Sequence, residues 1–396
     1  MNRYSQNLID VGLYDEIVML RRDLHRHPEL SWQEVRTADR VCEFLDRLGV
    51  SYERDVADTG IVATIPGRQS KPCIALRADM DALPVHEETQ LSFASQNTGV
   101  MHACGHDGHT SILAGAASLL ASQPELPVTV RLIFQPAEET GLGAKAMTAA
   151  GALRDVGMIF GGHLDRHYPT GSIVVTEGPV NASSDRFRIK ISGQGGHAAR
   201  PHEAIDAVVV GSLLVMAIQT IVSREVNPAH PSVVTVGSFA AGTAANVIAS
   251  RADLEGTIRA QEPEVRDHLH EAIRRIAHSV GQLHNAAIHV ELIEGTPPVI
   301  NRQPTTSIAR DAAELTVGPD RVFQMTIANM GGEDFGYYLE QIAGCYVRIG
   351  AQISGKENYP AHSSRFDFDE DALAVGAAYY STLAKLAGEK LSDGDH

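Results

Sequence analysis

Four short apolar runs, each bounded by glycine or proline, limit what this chain can fold into. The runs 61–66, 73–76, 128–134 and 156–160 alternate with segments of helical spacing. That alternation is the pattern of a mostly parallel sheet with helices on both faces. The residues directly after three of these runs, and after one later run, are chemically pointed. The run ending at Leu76 leads into R-A-D-M-D-A-L-P, with Asp79 and Asp81; the run ending at Phe134 leads into Q-P-A-E-E-T-G, with Glu138 and Glu139. The run ending at Phe160 leads into G-G-H-L-D, with His163, and a later run, 345–350, precedes Y-P-A-H-S-S and His362. Ligands of open α/β sheets bind beyond the carboxyl ends of the strands. Four runs therefore bring Asp, Glu and His to one edge, although each alone would be an ordinary polar loop residue.

The stretch M-H-A-C-G-H-D-G-H-T (101–110) adds a thiol and an imidazole two residues apart, Cys104 and His106, with His102 and His109 close by. Thiolate and imidazole are good ligands for zinc-like ions, and the glycine between them lets the backbone turn both towards one point. The small, apolar segment 111–121 reads as a buried helix with Asp107 as its N-cap. The cluster would then sit in a loop before that helix, where the dipole favours a deprotonated Cys104. The adjacent pair Glu138 and Glu139 can divide labour, one binding metal and the other taking a proton from water.

Composition excludes more than it selects. A net charge of −16 argues against nucleic acid and anionic membranes as partners. Four cysteines without a C-x-x-C pair give neither a zinc ribbon nor a disulfide framework. The first residues lack the apolar core of a signal peptide, and the longest apolar run, 207–218, falls short of the about 20 residues that span a bilayer. A cytoplasmic location is the default expectation. No G-x-S-x-G elbow, phosphate-binding loop, dinucleotide fingerprint or H-E-x-x-H occurs. Metal-assisted hydrolysis of a carbonyl compound remains the strongest class.

Between about 185 and 294 the order becomes β-α-β-β-α-β, the ferredoxin-like arrangement, read as a domain inserted into the first. The expected division is 1–182 with 296–396 for the metal-binding domain and 183–295 for the insert. Three features stand out there: G-Q-G-G-H-A-A-R-P-H with His197, G-T-A-A-N-V-I with Asn246, and G-T-I-R with Arg259. Together a His, an Asn and an Arg suit a carbonyl oxygen and a substrate carboxylate.

These motifs, with G-G-E-D-F and A-H-S-S-R-F-D-F, occur in an order that resembles the amidohydrolase branch of the co-catalytic metallopeptidases. That branch includes hippurate hydrolases, N-acyl-amino-acid amidohydrolases and auxin-conjugate hydrolases, and the resemblance spans practically the whole chain. It implies an α/β catalytic domain with a mostly parallel central sheet, plus an inserted ferredoxin-like α+β lid and dimerisation domain. It also implies two divalent metal ions per subunit at Cys104, His106, Glu139, His163 and His362, with Cys104 bridging. Glu138 matches the general base, Asp81 the supporting aspartate, and His197 the histidine that polarises the scissile carbonyl in a neighbouring subunit. Asn246 and Arg259 match residues associated with the substrate carboxylate. The chain departs from more distant relatives in carrying Asp79 where they have the histidine of H-x-D. It also carries a polar segment, L-D-R-H-Y-P, after His163.

The resulting expectation is a homodimeric hydrolase, or a dimer of dimers, that cleaves the amide bond of N-acyl amino acids such as hippurate or N-acetyl amino acids. Cys with His favours zinc, with manganese, nickel and cobalt as alternatives. The rival readings are a dipeptidase or carboxypeptidase using the same machinery and, from another class, a non-catalytic metal-binding protein. Glu138 disfavours the last, because a protein that only binds has no need of a base beside its ligands.

Overall fold

A computed structural model describes residues 8–394, which fold as two compact units. The first comprises the chain up to Gly178, Ile300–Ile327 and the chain from Asp334 onward; the second comprises Pro179–Val299 and Ala328–Glu333. The short return to the second unit at Ala328–Glu333 lies within the span that the sequence pattern assigns wholly to the first.

In the first unit, helices α1 (Val11–Arg26) and α2 (Val35–Leu48) precede strands β1 (Ser51–Val56), β2 (Gly60–Ile65) and β3 (Gln69–Asp79). Helix α3 (His106–Ala121), β4 (Val128–Gln135), α4 (Gly143–Ala149) and β5 (Val156–Pro169) come next. One eight-stranded sheet runs β1-β2-β4-β3-β5, then Ala343–Gln352, Ile173–Val174 and Val322–Phe323. Its inner strands pair in parallel, β4 with β3, β3 with β5, and β5 with Ala343–Gln352. Burial on both faces explains why the sequence displays them as continuous apolar runs. β1, S-Y-E-R-D-V, lacks such a run because it is an exposed edge strand paired with β2, and charge on an edge discourages further pairing. Helices α1, α3 and Asp371–Ser392 pack against one another. A Cβ on Gly376 would lie 2.7 Å from Ile112 Cδ1, so glycine permits this close helix approach.

Two local expectations are corrected. Helix α3 begins at His106, not at 111, with Gly105 as its cap at φ 93, in the left-handed region that favours glycine. Asp107 does not cap it. Its buried carboxylate instead accepts from Arg21 Nε at 3.0 Å and His25 Nδ1 at 2.8 Å, two side chains of α1. His163 is likewise a strand residue, in parallel register with Arg348, because β5 continues to Pro169.

The second unit is a four-stranded antiparallel sheet in the order Ser232–Ala241, Arg251–Ala260, Ser184–Ser192, Ala287–Thr296. Helices Ala207–Thr220 and Pro263–His284 bury Val210, Leu214, Ile218, Leu269 and Ile273 in a core shared with Phe187, Ile189 and Ile191 of the central strand. Alternation places Arg186, Arg188 and Lys190 on the other face. The first helix continues through a π turn, Ile221–Glu225. Ala207–Glu225 is thus long and apolar enough to cross a membrane by length and composition, which the apolar run alone is not. It is the one such helix among the described residues. One side of it lies in the core, while Val208, Val209, Leu213 and Met216 are exposed.

Asp185 ties this unit together. Its buried carboxylate accepts from Arg266 Nε and Nη2 (2.8 and 2.7 Å), His270 Nε2 (3.0 Å) and the Gly295 amide (2.9 Å). Burial opposes ionisation, but these donors outweigh it and bring the pKa from 3.8 down to about 2. A lowered folded-state pKa stabilises the fold above the unfolded value of about 4, here by about 2 kcal/mol, and the gain is lost as pH falls towards 2. Asp185→Asn is expected to be less stable than wild type by at least that amount at neutral pH. In denaturant unfolding curves, the gap should close as pH is lowered from about 5 towards 2. A gap independent of pH would mean that the carboxylate contributes no charge to the fold.

Candidate metal centre and active site

Asp81, just beyond β3, organises the site. Its Oδ1 accepts the Glu138 amide (3.1 Å) and its Oδ2 the Glu139 amide (3.0 Å) and Ser31 Oγ (2.7 Å). His106 Nδ1 lies 3.3 Å from Oδ1. Burial opposes its charge, yet His106, Ser31 and the Glu139 amide hold the carboxyl below its usual range. One carboxylate thereby fixes both the acidic turn and an imidazole. Glu34 supports the same turn by accepting the amide of Ala137 at 2.9 Å. Ala137 itself has φ 55, a strained value for a residue with a side chain, held by these surrounding bonds.

With Nδ1 turned to Asp81, His106 presents Nε2 to the glutamates, 3.8 Å from Glu139 Oε1 and 3.9 Å from Glu138 Oε2. Glu139 Oε1 is also 3.6 Å from His362 Nε2. His106 Nε2 and Glu139 Oε1 are buried without a hydrogen-bond partner. Buried polar atoms are rarely left so, and such a pair calls for an explanation. On the other side of His106, Cys104 Sγ lies 3.4 Å from His163 Nε2. His163 Nδ1 donates to the Leu164 carbonyl at 2.8 Å, which leaves Nε2 as the unprotonated nitrogen, facing Cys104. The donor sets Cys104–His106–His163, Cys104–Glu139–His362 and His106–Glu138–Glu139 each converge within 4.8 Å.

Charge points the same way. Burial, with Glu139 adding to it, pushes the Cys104 thiol up, so the expected effect of the helix dipole does not prevail. Burial also raises Glu139 to about 7, despite nearby His106. A thiol and a carboxyl that resist ionisation where they stand, next to imidazole and carboxylate atoms without hydrogen bonds, are groups that a cation would satisfy. Thiolate, imidazole and carboxylate together fit a zinc-like divalent ion.

The remaining predicted residues belong to the second unit. His197 pairs in register with Val247, and the Asn246 carbonyl accepts the Ala198 amide at 3.1 Å, so the two exposed residues lie side by side on paired antiparallel segments. Arg259, near the end of Arg251–Ala260, is half-buried, which lowers its pKa. The carboxylate that would otherwise neutralise it, Asp185, is taken by Arg266 and His270. A Cβ on Gly332, in the G-G-E-D-F motif, would lie 3.4 Å from Arg259 Nη1.

A buried network behind the site was not legible in the sequence. Arg77 donates to Gln135 (2.8 Å), Asp79 (2.6 Å) and Asp334 (2.8 Å), and Asp334 also accepts from Gln135 and from the Ala144 amide. The motifs holding these residues stood out, but Arg77 and Asp334 lie 257 positions apart in the chain. Burial opposes the charge of Asp79, but His106, His109 and Arg77 hold it well below the usual carboxylate range.

A mostly parallel sheet that gathers carboxylates, imidazoles and a thiol along one edge supplies the donor set of a metal-assisted hydrolase. The sequence comparisons then specify the kind: the model of peptidase family M20/M25/M40 matches residues 75–386, and the chain belongs to that family. It is 39% identical to the N-acetylcysteine deacetylase of Bacillus subtilis, over 97% of this chain and 100% of that one. It is 38% identical to thermostable carboxypeptidase 1 of Saccharolobus solfataricus, over 93% and 95% of the two chains. Among solved structures, a dinuclear metal-binding M20 peptidase from Bacillus subtilis superposes with a TM-score of 0.85 at 37% identity, covering 96% and 99%.

Asp81→Asn tests the organising role. An amide would turn an N–H towards donors, leaving buried groups unsatisfied at a cost of about 1–3 kcal/mol each. The expected result is a lower melting temperature and faster hydrogen exchange at the amides of Glu138 and Glu139. Unchanged exchange there would mean that the turn holds itself.

Proposed function

We propose that the protein hydrolyses the amide bond of N-acyl amino acids, using two divalent metal ions held by Cys104, His106, Glu139, His163 and His362. The observation that carries this reading is the buried Glu139 Oε1, which has no hydrogen bond and converges with His106 Nε2 and His362 Nε2 beside a second carboxylate, Glu138. Zinc is the favoured metal for a site with thiolate and imidazole. When bound, such ions polarise a carbonyl and make water acidic enough to lose a proton near neutral pH.

In this scheme Glu138 takes a proton from the attacking water, which adds to the amide carbonyl carbon. Asp81 keeps Glu138 in place through its main-chain amide. His197 donates to the oxygen that becomes negative, and Glu138 returns the proton to the nitrogen as the C–N bond breaks. A carboxylic acid and a free amino acid leave. Arg259 and Asn246 hold the amino acid's carboxylate, a role suited to a half-buried arginine with no ion pair among the described residues. The similarity to a deacetylase over the full chain supports an acyl group as one half of the substrate. The similarity to a carboxypeptidase supports the second reading, a peptide in its place. Four buried, free cysteines are consistent with a reducing, cytoplasmic setting.

A panel of N-acetyl amino acids, hippurate, dipeptides and their carboxyl-amidated forms separates the readings. Release from the N-acyl acids, with slow turnover of dipeptides and amides, is expected; preference for dipeptides would replace the proposal with the peptidase, and no turnover of any would leave a binding protein. Glu138→Gln should keep its metal and lose about 10²–10⁴-fold in turnover.

The second unit is proposed as the dimer interface. Its edge strand Ser232–Ala241 is open to pairing, and Val233, Phe239, Val208, Leu213 and Met216 give it exposed apolar surface. Edge pairing across a two-fold axis buries both features and would let each site take His197 from its partner. Mixing Glu138→Ala with His197→Ala subunits, each inactive alone, is expected to restore activity after subunit exchange. Mixed dimers that form and stay inactive would exclude the shared site.

A further inference from the structure

His109 belongs to the same motif as Cys104 and His106, yet no part of the proposed chemistry uses it. It is 2% exposed, in the first turn of α3, and both its ring nitrogens are engaged. Nδ1 lies 2.6 Å from Asp79 Oδ1, while Asp79 Oδ2 accepts from Arg77 Nη1 at 2.6 Å. Nε2 lies 2.9 Å from the amide nitrogen of Leu164. An amide N–H can only donate and a carboxylate can only accept. The partners therefore fix the tautomer: Nδ1 carries the proton and Nε2 is the acceptor.

Leu164 directly succeeds His163 in the chain, and it is gripped at both ends. Its N–H goes to His109, and its carbonyl accepts from His163 Nδ1 at 2.8 Å. That second bond aims His163 Nε2 at Cys104 Sγ. The ring of His109 also stands against that of His163, with centroids 4.5 Å apart and planes at 68°. We infer that His109, oriented by Asp79, is a positioning residue that fixes the main chain at Leu164 and so directs His163 at the Cys104–His106 group. The aspartate that replaces the histidine of H-x-D thus orients a histidine on α3. Neither His109 nitrogen remains for a metal. The chain Asp334–Arg77–Asp79–His109–Leu164 extends this support back into the buried network behind the site.

This inference rests on the metal reading for its consequence, but not for its geometry, and the test keeps the two apart. In the full-length protein labelled with ¹⁵N-histidine, His109 is identified by the signal lost in His109→Gln. It is expected as the Nδ1-protonated tautomer, unchanged in ligation when zinc is added. Two substitutions then divide its contacts. Gln places an acceptor near the position of Nε2 and can keep the Leu164 bond; Asn places a donor near Nδ1 and keeps only Asp79. Zinc affinity, measured by chelator competition, should fall by about 10–100-fold in His109→Asn, the usual loss when a ligand's supporting partner goes, and stay close to wild type in His109→Gln. Hydrogen exchange of the Leu164 amide should quicken in the first variant and not in the second. Equal losses in both variants, an Nε2-protonated ring, or zinc ligation by His109 would overturn the assignment. If His109→Asn does not fold, the tautomer and the His109→Gln measurements decide alone. Wild-type protein that binds no zinc would defeat the metal reading instead, and the tautomer and Leu164 exchange would still decide the positioning role.

Discussion

The carboxylate of Asp81 is the contact on which the rest of the site depends. Four donors meet it: two consecutive amides, a serine hydroxyl and an imidazole N–H. Hydrogen bonds to an ionised acceptor are shorter and stronger than neutral ones, so this one group can hold a tight turn and a separate helix in a fixed relation. Because it uses Nδ1 of His106, it dictates that Nε2 faces the glutamates. Because it uses the amides of Glu138 and Glu139, it leaves both of their side chains to reach forward.

The site is costly to build in a parallel sheet. Asp79, Asp81, Asp107 and Asp334 are all buried, and an isolated buried charge is strongly unfavourable. Each is matched: Asp79 and Asp334 by Arg77, Asp107 by Arg21 and His25, and Asp81 by hydrogen bonds. Arg21 reaches further, to Asp367 and Glu370, so α1, α3 and the segment before the terminal helix are joined through one guanidinium. Buried ion pairs of this kind add little net stability over apolar packing, but removing one partner is severe. Their use here is geometric. They fix where α3 begins, and hence where His106 stands.

The second unit solves a different problem with the same means. Asp185, Arg266 and His270 bind its central strand to a helix at one end of the core, while alternation along Ser184–Ser192 separates apolar from charged residues. One helix is apolar on its outward side as well. A face of that kind lowers its free energy by being covered, and the proposed second copy of this chain would cover it.

Much of this organisation is determined by the sequence alone. Burial of a parallel sheet on both faces forces unbroken apolar runs, so the inner strands, their order of appearance and the polar residues beyond them can be read directly. Strict alternation along Ser184–Ser192 likewise reveals a half-buried strand, and with its neighbours the ferredoxin-like order. Other features come only from tertiary contact. β1 is polar because it lies on an edge, and β5 outlasts its apolar run because L-D-R-H-Y-P pairs with Ala343–Gln352. Helix α3 starts at His106 although H-D-G-H lacks apolar spacing. Its first turn is stabilised by Arg21, Asp79 and Asp81 from distant parts of the chain, not by its own pattern. The sequence set out which side chains could form the centre. Which nitrogen of each histidine points inward depended on the buried partner taken by the other nitrogen, and only folding brings those partners together.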